Sequence, residues 1–156
     1  MARGWHLTID EWFYHWFGET DKEKVELVNT FFLKLLEVCD KIVIQHGSRL
    51  ARKFYELAEQ STKYPPKNRD SVKLLLANFY KLDKVYIVDE VKILSAEIAA
   101  QLPRKDVYLV EICMGTNEKI IITTDTTLHQ NLVDTKDILG IRVYMAKDFI
   151  QSYPDF

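Results

Sequence analysis

The sequence predicts an α/β fold, a three-layer α/β/α sandwich in which helices cover both faces of a mostly parallel central sheet. Short β-branched runs alternate with longer stretches of helical periodicity along the chain. The run Ile120, Ile121 and Ile122 is apolar at every position, which is typical of a parallel strand buried on both faces. The 156 residues fit one domain, and no composition shift divides 1–156.

The N-terminal third is predicted to contain two strands and the helices that follow them. A first strand over residues 5–9 ends at Asp10, and a second strand lies over residues 41–44. Between them, the capping-box pattern that begins at Thr20 predicts a helix running to about Cys39. Ser48 is predicted to cap a further helix that runs to about residue 60.

The rest of the chain is predicted to alternate helices and strands after a loop over residues 61–70, which Pro65 and Pro66 mark. The predicted strands lie over residues 85–88, 120–122 and 140–144. The predicted helices lie over residues 71–81, 90–101, 104–114, 126–133 and 147–151.

An aromatic segment follows the first strand, with five aromatic side chains among the six residues 12–17. These side chains cannot all face one side of a helix, so some should reach a second surface. Core packing and self-association are one interpretation, and stacking against nucleic-acid bases is the other. We favour the core and self-association.

Composition predicts a protein of the cytoplasm with no membrane contact. The formal net charge of −2 excludes a global basic field that would draw the protein onto nucleic acid. The two cysteines, Cys39 and Cys113, lie in apolar helical patterns and are predicted to be buried thiols in a reducing compartment. No secretory h-region begins the chain, and no apolar run approaches the roughly 20 residues of a membrane span.

Several catalytic patterns are absent from the sequence. The five glycines are scattered, so no phosphate-binding glycine loop is present. No nucleophile elbow occurs, and the four histidines are not paired at metal-ligand spacing. Carboxylates therefore remain as the candidate chemistry.

Three aspartates occupy positions that the predicted fold would bring together. Asp10 ends the first strand, Asp125 ends the strand through Ile122, and Asp106 lies in the first helical turn after Pro103. Because parallel strands deliver their C-terminal ends to one edge, we expect these acids to converge. Clustered carboxylates suit Mg²⁺ or Mn²⁺, and a divalent pair can promote phosphodiester hydrolysis. Singly, each acid has an ordinary alternative as a cap, a helix-start residue or a solvated strand end.

Five segments resemble those of PIN domains in the same order, namely LTID at 7–10, KIVI at 41–44, KDVYLVE at 105–111, IIITTD at 120–125 and GIRV at 140–143. The resemblance covers nearly the whole chain and is most specific in the C-terminal third. It implies an α/β/α domain that hydrolyses RNA phosphodiesters with Mg²⁺ or Mn²⁺. It also implies a homodimer and, as in many toxin ribonucleases, an antitoxin-type protein partner.

The resemblance also assigns roles to individual residues. Asp10, Asp106 and Asp125 match the family's acids, so they would be the metal ligands and the catalytic residues. Thr123 matches the hydroxyl residue that precedes the last acid and would help to hold that acid or a bound water. The expected substrate is RNA, more readily single-stranded than duplex.

One position departs from the family pattern. A glutamate is usual early in the helix after the second strand, where this chain has Arg49, Arg52 and Lys53. Glu11 or Glu111 would have to substitute for it. The cations could grip substrate phosphates, or they could replace the metal and leave an inactive module that binds nucleic acid or a protein partner. A third alternative is an unrelated α/β domain whose acids are structural.

Overall fold

The computed structural model describes residues 4–17, 21–45, 47–49, 51–53, 56, 84–88 and 91–155. Its sheet consists of β1 (His6–Ile9), β2 (Lys41–Ile44), β3 (Val85–Ile87), β4 (Ile120–Thr123) and β5 (Arg142–Met145). All five strands are parallel, in the order β3-β2-β1-β4-β5. The predicted fold class is confirmed, because helices lie on both faces of this sheet.

The described helices follow the strands in an alternating order. They are α1 (Trp12–Phe17), α2 (Lys22–Glu37), α3 (Ala96–Ala99), α4 (Val107–Met114), α5 (Thr126–Asp134), α6 (Lys136–Leu139) and α7 (Ala146–Ser152). A single 3-10 turn, Arg104–Asp106, leads directly into α4.

Strand β4 explains why the sheet has a core on each face. Ile120 and Ile122 pack with side chains of α1, α2 and α7, whereas Ile121 packs with side chains of α4 and α5. Successive side chains of a strand point to opposite faces, so one apolar run serves both cores. All three isoleucines are fully buried, as the unbroken apolar pattern predicts.

The strand order creates a switch point between β1 and β4. From β1 the chain runs outward to β2 and β3 on one side, and later to β4 and β5 on the other. Ile9 is level with Ile122, and the N–H of Asp10 donates to the carbonyl of Ile122 at 3.2 Å. The C-terminal ends of the two central strands are therefore adjacent, which is where open parallel sheets form ligand crevices.

Helix α1 places most of its described aromatic side chains in the core. Trp12, Phe13 and Trp16 are buried, and Tyr14 is half-buried against the same cluster. The indole N–H of Trp12 donates to the carbonyl of Ile122 at 3.0 Å, which fixes α1 beside the switch point. The core interpretation is thus confirmed, while self-association stays a prediction.

The helix predicted over residues 90–101 is wrong for most of its described part. Residues 91–95 are not helical, and α3 begins only after Ser95, whose hydroxyl accepts from the N–H of Ile98 at 3.3 Å. The N–H of Leu94 donates instead to the carboxylate of Glu111 at 2.9 Å. These side-chain contacts hold the segment outside a helix, and Ser95 sets a later start.

Two smaller predictions are corrected as well. The N-cap of α2 is Asp21, whose carboxylate accepts from the N–H of Glu23 at 2.9 Å. Cys113 is buried as predicted, but Cys39 is exposed because α2 ends at Glu37 and the chain turns before β2. The predicted loop over 61–70 and helix over 71–81 lie outside the described residues.

Candidate functional site

A pocket of about 380 Å³ opens at the switch point, beside the C-terminal ends of β1 and β4. All three aspartates predicted as site residues contribute to its wall, although they come from three separate segments of the chain. The pocket is lined by Asp10, Glu11, Trp12, His15, Arg49, Lys105, Asp106, Thr124 and Asp125.

Thr123 connects two of these acids from beneath the pocket. It is fully buried, and its hydroxyl donates to Oδ2 of Asp10 at 3.1 Å. The same oxygen accepts from the backbone N–H of Asp125 at 3.0 Å. The other oxygen of Asp10, Oδ1, accepts from the N–H of Glu11 at 2.6 Å. Both oxygens of Asp10 are thus oriented by groups of the protein.

Asp125 is the N-cap of helix α5. Its Oδ1 accepts from the N–H groups of Thr127 and Leu128 at 2.9 and 3.1 Å, and its Oδ2 lies 3.3 Å from Nζ of Lys105. Burial disfavours its ionisation, but the N–H of Leu128, the ammonium group and the N–H of Thr127 together hold the pKa of this carboxyl below its usual range. Asp125 is therefore a charged residue of the pocket.

Asp106 has the opposite environment. The residue is 3% exposed, and its Oδ2 has no hydrogen-bond partner among the described residues. Burial is the main reason why its pKa rises to about 6, and the negative charge of Asp10 raises it further. Asp106 lies at the N-terminus of α4 without capping it, so the helix end does not compensate for the burial.

Two cations balance part of this negative charge. Lys105, on the 3-10 turn, forms the ion pair with Asp125 described above. Arg49 forms an ion pair with Glu11 at 2.9 Å, donates to the carbonyl of Lys105 at 2.9 Å and lies over the ring of Tyr108. Arg49 is therefore held on several sides, whereas the ammonium group of Lys105 is held by Asp125 alone among the contacts described here.

The three predicted basic residues do not share one location. Arg49 lines the pocket, but Arg52 and Lys53 are not among the described residues that do so. Lys53 instead pairs with Glu56 at 3.2 Å and lies over the ring of Tyr14. The helix that carries Arg52 and Lys53 begins after Ser48. The hydroxyl of Ser48 accepts from the N–H of Ala51 at 3.2 Å, as the predicted cap requires.

Lys105 is the functional candidate that the sequence alone did not single out. Lys105 directly precedes Asp106 in the sequence, so a turn that brings Asp106 to the pocket brings the lysine there too. Trp12 and His15 reach the pocket because α1 starts immediately after β1. Of the two substitute glutamates, Glu11 lines the pocket and Glu111 binds the N–H of Leu94.

The residues present can be compared with what Mg²⁺ or Mn²⁺ requires. The described ranges contain no group of three or more His, Cys, Asp or Glu side chains placed to hold a metal ion. Mg²⁺ nevertheless keeps several waters and is commonly held by one or two carboxylates together with substrate phosphates. Asp106 offers a buried oxygen that no described group satisfies, and Asp10 lines the same pocket. The oxygen atoms of these two acids are therefore suitable ligands for Mg²⁺ or Mn²⁺.

Comparisons of the chain with protein-family models, with curated proteins and with solved structures find no match. The PIN-like interpretation therefore depends on the five sequence segments and on the pocket. Among the described residues, no helix is both long and apolar enough to cross a bilayer.

Proposed function

We propose that this protein is a PIN-like, Mg²⁺- or Mn²⁺-dependent endoribonuclease that hydrolyses phosphodiester bonds at the pocket between β1 and β4. One observation carries the proposal: Asp106 places a buried, unsatisfied carboxylate oxygen at the pocket that Asp10 also lines, at the switch point of a parallel sheet. Burying a charge without compensation is costly, so such an arrangement favours a bound cation. RNA is the proposed substrate because the resemblance to PIN domains implies it.

Asp10 and Asp106 would hold the cation, and Asp125 would add negative charge at the edge of the site. When bound, a divalent ion supplies Lewis-acid stabilisation of phosphate charge and lowers the pKa of a water molecule. Thr123 keeps Asp10 oriented through its 3.1 Å hydrogen bond, so this carboxylate is preorganised before any ligand arrives. Preorganisation of this kind reduces the cost of assembling the site.

The cations of the pocket would bind the RNA backbone. A cluster of carboxylates repels a polyanion, so positive groups beside it are needed to bring phosphates close. Arg49 has a side chain that is 47% exposed and is anchored by Glu11, and Lys105 has a side chain that is 67% exposed. The two lie on the same wall of the pocket, since Arg49 donates to the carbonyl of Lys105.

The test is cleavage of end-labelled single-stranded RNA with Mn²⁺, with Mg²⁺ and with chelator. We expect wild-type protein to cleave only with a divalent ion, and Asp106→Asn and Asp125→Asn to lose at least about 100-fold in rate, roughly 3 kcal/mol of transition-state stabilisation. Asp137→Asn, an exposed position on α6, is the matched control and should cleave like wild type. Cleavage that survives in Asp106→Asn would refute the proposal.

A second candidate function is a catalytically inactive PIN-like module that binds RNA or a protein partner. It is favoured by the ion pair of Lys105 with Asp125, and by the lack of a three-ligand group in the part of the chain that is described. RNA binding measured by fluorescence anisotropy separates the two candidates. An inactive module binds equally with chelator and with Mn²⁺ and cleaves under neither condition.

The proposed nuclease would act in the cytoplasm as a homodimer, with an antitoxin-type protein as a further partner. The partners follow from the resemblance to PIN domains, and the compartment is supported by Cys39, an exposed free thiol that suits a reducing environment. Light scattering during size-exclusion chromatography tests the dimer directly. A monomer mass at all concentrations tested would remove the dimer from the proposal.

A further inference from the structure

Lys105 combines a fixed backbone with an exposed side chain. Its carbonyl accepts from Arg49 at 2.9 Å, and the next residue, Asp106, donates its N–H to Pro103 at 2.9 Å. Its side chain is 67% exposed and reaches Asp125 at 3.3 Å. The backbone of Lys105 is thus fixed at the pocket wall, while its long, flexible side chain can change direction.

The ammonium group of Lys105 contacts Asp125 and lies at the pocket that Asp10 and Asp106 also line. Its hydrogen bond to Asp125 is the main reason why the pKa of Lys105 is raised, and the charges of Asp125, Asp106 and Asp10 act in the same direction. No other cation described here contacts Asp125. Lys105 therefore supplies positive charge to the place where the proposed divalent cation would also act.

We propose that Lys105 is a movable counter-ion, which neutralises Asp125 when no divalent cation is bound and contacts an RNA phosphate when one is. This inference rests on the proposed function. The ion pair is exposed enough to exchange, because a surface lysine–carboxylate pair contributes little free energy. Arg49 cannot take the same role, because Glu11, the carbonyl of Lys105 and the ring of Tyr108 hold its guanidinium group in place.

The proposal predicts opposite effects of one substitution on two ligands. Lys105→Met removes the ammonium group that competes with the cation, so Mn²⁺ affinity should rise. The same substitution removes a phosphate contact, so RNA affinity should fall. A residue that merely stabilises the 3-10 turn would lower both affinities or neither, because its loss would disturb the whole pocket.

The first measurement is Mn²⁺ binding in the absence of RNA, followed by the electron paramagnetic resonance signal of free Mn²⁺. We expect Lys105→Met to bind Mn²⁺ up to about fivefold more tightly than wild type, the upper limit that loss of one exposed ion pair predicts. Lys105→Arg should resemble wild type. Lys136→Met, an exposed lysine on α6 outside this pocket, is the matched control and should also resemble wild type.

The second measurement is the affinity for fluorescent single-stranded RNA with Ca²⁺ as a non-cleaving probe ion. Lys105→Met should bind RNA about fivefold more weakly. The slope of log K against log salt should become shallower by about 0.7, which corresponds to the loss of one phosphate contact on a single strand. Lys136→Met should leave both values unchanged.

The outcomes separate this proposal from the proposed function. Tighter Mn²⁺ binding together with weaker RNA binding in Lys105→Met supports the counter-ion. Unchanged Mn²⁺ binding or unchanged RNA binding in a folded Lys105→Met overturns it, while the nuclease proposal stands. If wild type and Lys105→Met both fail to bind Mn²⁺ at millimolar concentration, the metal site itself is absent and both proposals fail.

Discussion

The hydroxyl of Thr123 donates to the carboxylate of Asp10 across 113 residues of sequence, at 3.1 Å. The same hydroxyl oxygen accepts from the N–H of Asp125 at 3.0 Å, so one buried group connects the ends of the two central strands. Hydrogen bonds to a charged group contribute more than neutral ones, about 1.5–3 kcal/mol. The candidate site and the stability of the fold therefore share this residue.

Replacing Thr123 with valine keeps the side-chain shape and removes both hydrogen bonds. We expect Thr123→Val to lower the free energy of unfolding by about 2 kcal/mol, because a carboxylate of Asp10 loses a donor and a backbone N–H loses its acceptor. Urea unfolding monitored by circular dichroism measures the change. Thr127→Val, at an exposed position on α5, should change stability by less than about 0.5 kcal/mol. Equal effects in the two variants would show that the Thr123 hydroxyl has no special role.

The raised pKa of Asp106 predicts an unusual dependence of stability on pH. The pKa is about 6 in the folded protein, whereas an unperturbed aspartate titrates near pH 4. Between these values the folded state binds more protons than the unfolded state, so Asp106 makes the protein less stable as pH rises. The loss begins near pH 4 and is complete above about pH 6, with a size of roughly 3 kcal/mol.

Asp106→Asn isolates this contribution because its side chain does not ionise. The stability of Asp106→Asn relative to wild type should increase by roughly 2 kcal/mol between about pH 4 and pH 8, measured by urea unfolding in chelator. Asp137→Asn, at an exposed position, serves as the comparison. A stability difference that stays constant over this pH range would show that Asp106 titrates normally.

Asp125 has a capping role that can be separated from its charge. Asparagine is an equally good N-cap, so Asp125→Asn should preserve the hydrogen bonds to Thr127 and Leu128 and lose only the exposed ion pair with Lys105, about 0.2–1 kcal/mol. Asp125→Ala removes the cap as well and should cost about 1 kcal/mol more. Thermal unfolding of both variants measures the effect. If Asp125→Asn were as destabilised as Asp125→Ala, a loss of RNA cleavage in Asp125→Asn could not be assigned to the missing carboxylate charge.

The placement of Asp10 and Asp125 was predictable because strand ends follow from hydrophobic patterns. An unbroken run such as Ile120 to Ile122 indicates burial on both faces, and parallel strands share one C-terminal edge. The convergence of Asp10 and Asp125 on one pocket required only that β1 and β4 be neighbours, as they are, whereas Asp106 reaches the pocket from the 3-10 turn before α4.

The parts that could not be predicted depend on contacts between distant residues. The ion pair of Lys105 with Asp125 arises from how the 3-10 turn lies against the end of β4, which no local pattern encodes. The late start of α3 depends on Glu111, which accepts from Leu94 across 17 residues. The raised pKa of Asp106 likewise comes from burial and from Asp10, although its position at a helix start indicated the opposite direction.

The two cysteines should differ sharply in reactivity in the folded protein. Cys113 is fully buried on α4, and burial raises the pKa of its thiol to about 12, so almost no thiolate is available to react. Cys39 is exposed just beyond α2. We expect Ellman's reagent to modify one thiol per chain in native buffer and two in urea, with Cys39→Ser reducing the native value to zero. Native reaction of both thiols in wild type, or of Cys113 in Cys39→Ser, would mean that the α4 face of the sheet opens readily, because a thiol in that core reacts only when the packing around Leu109 and Ile121 is broken.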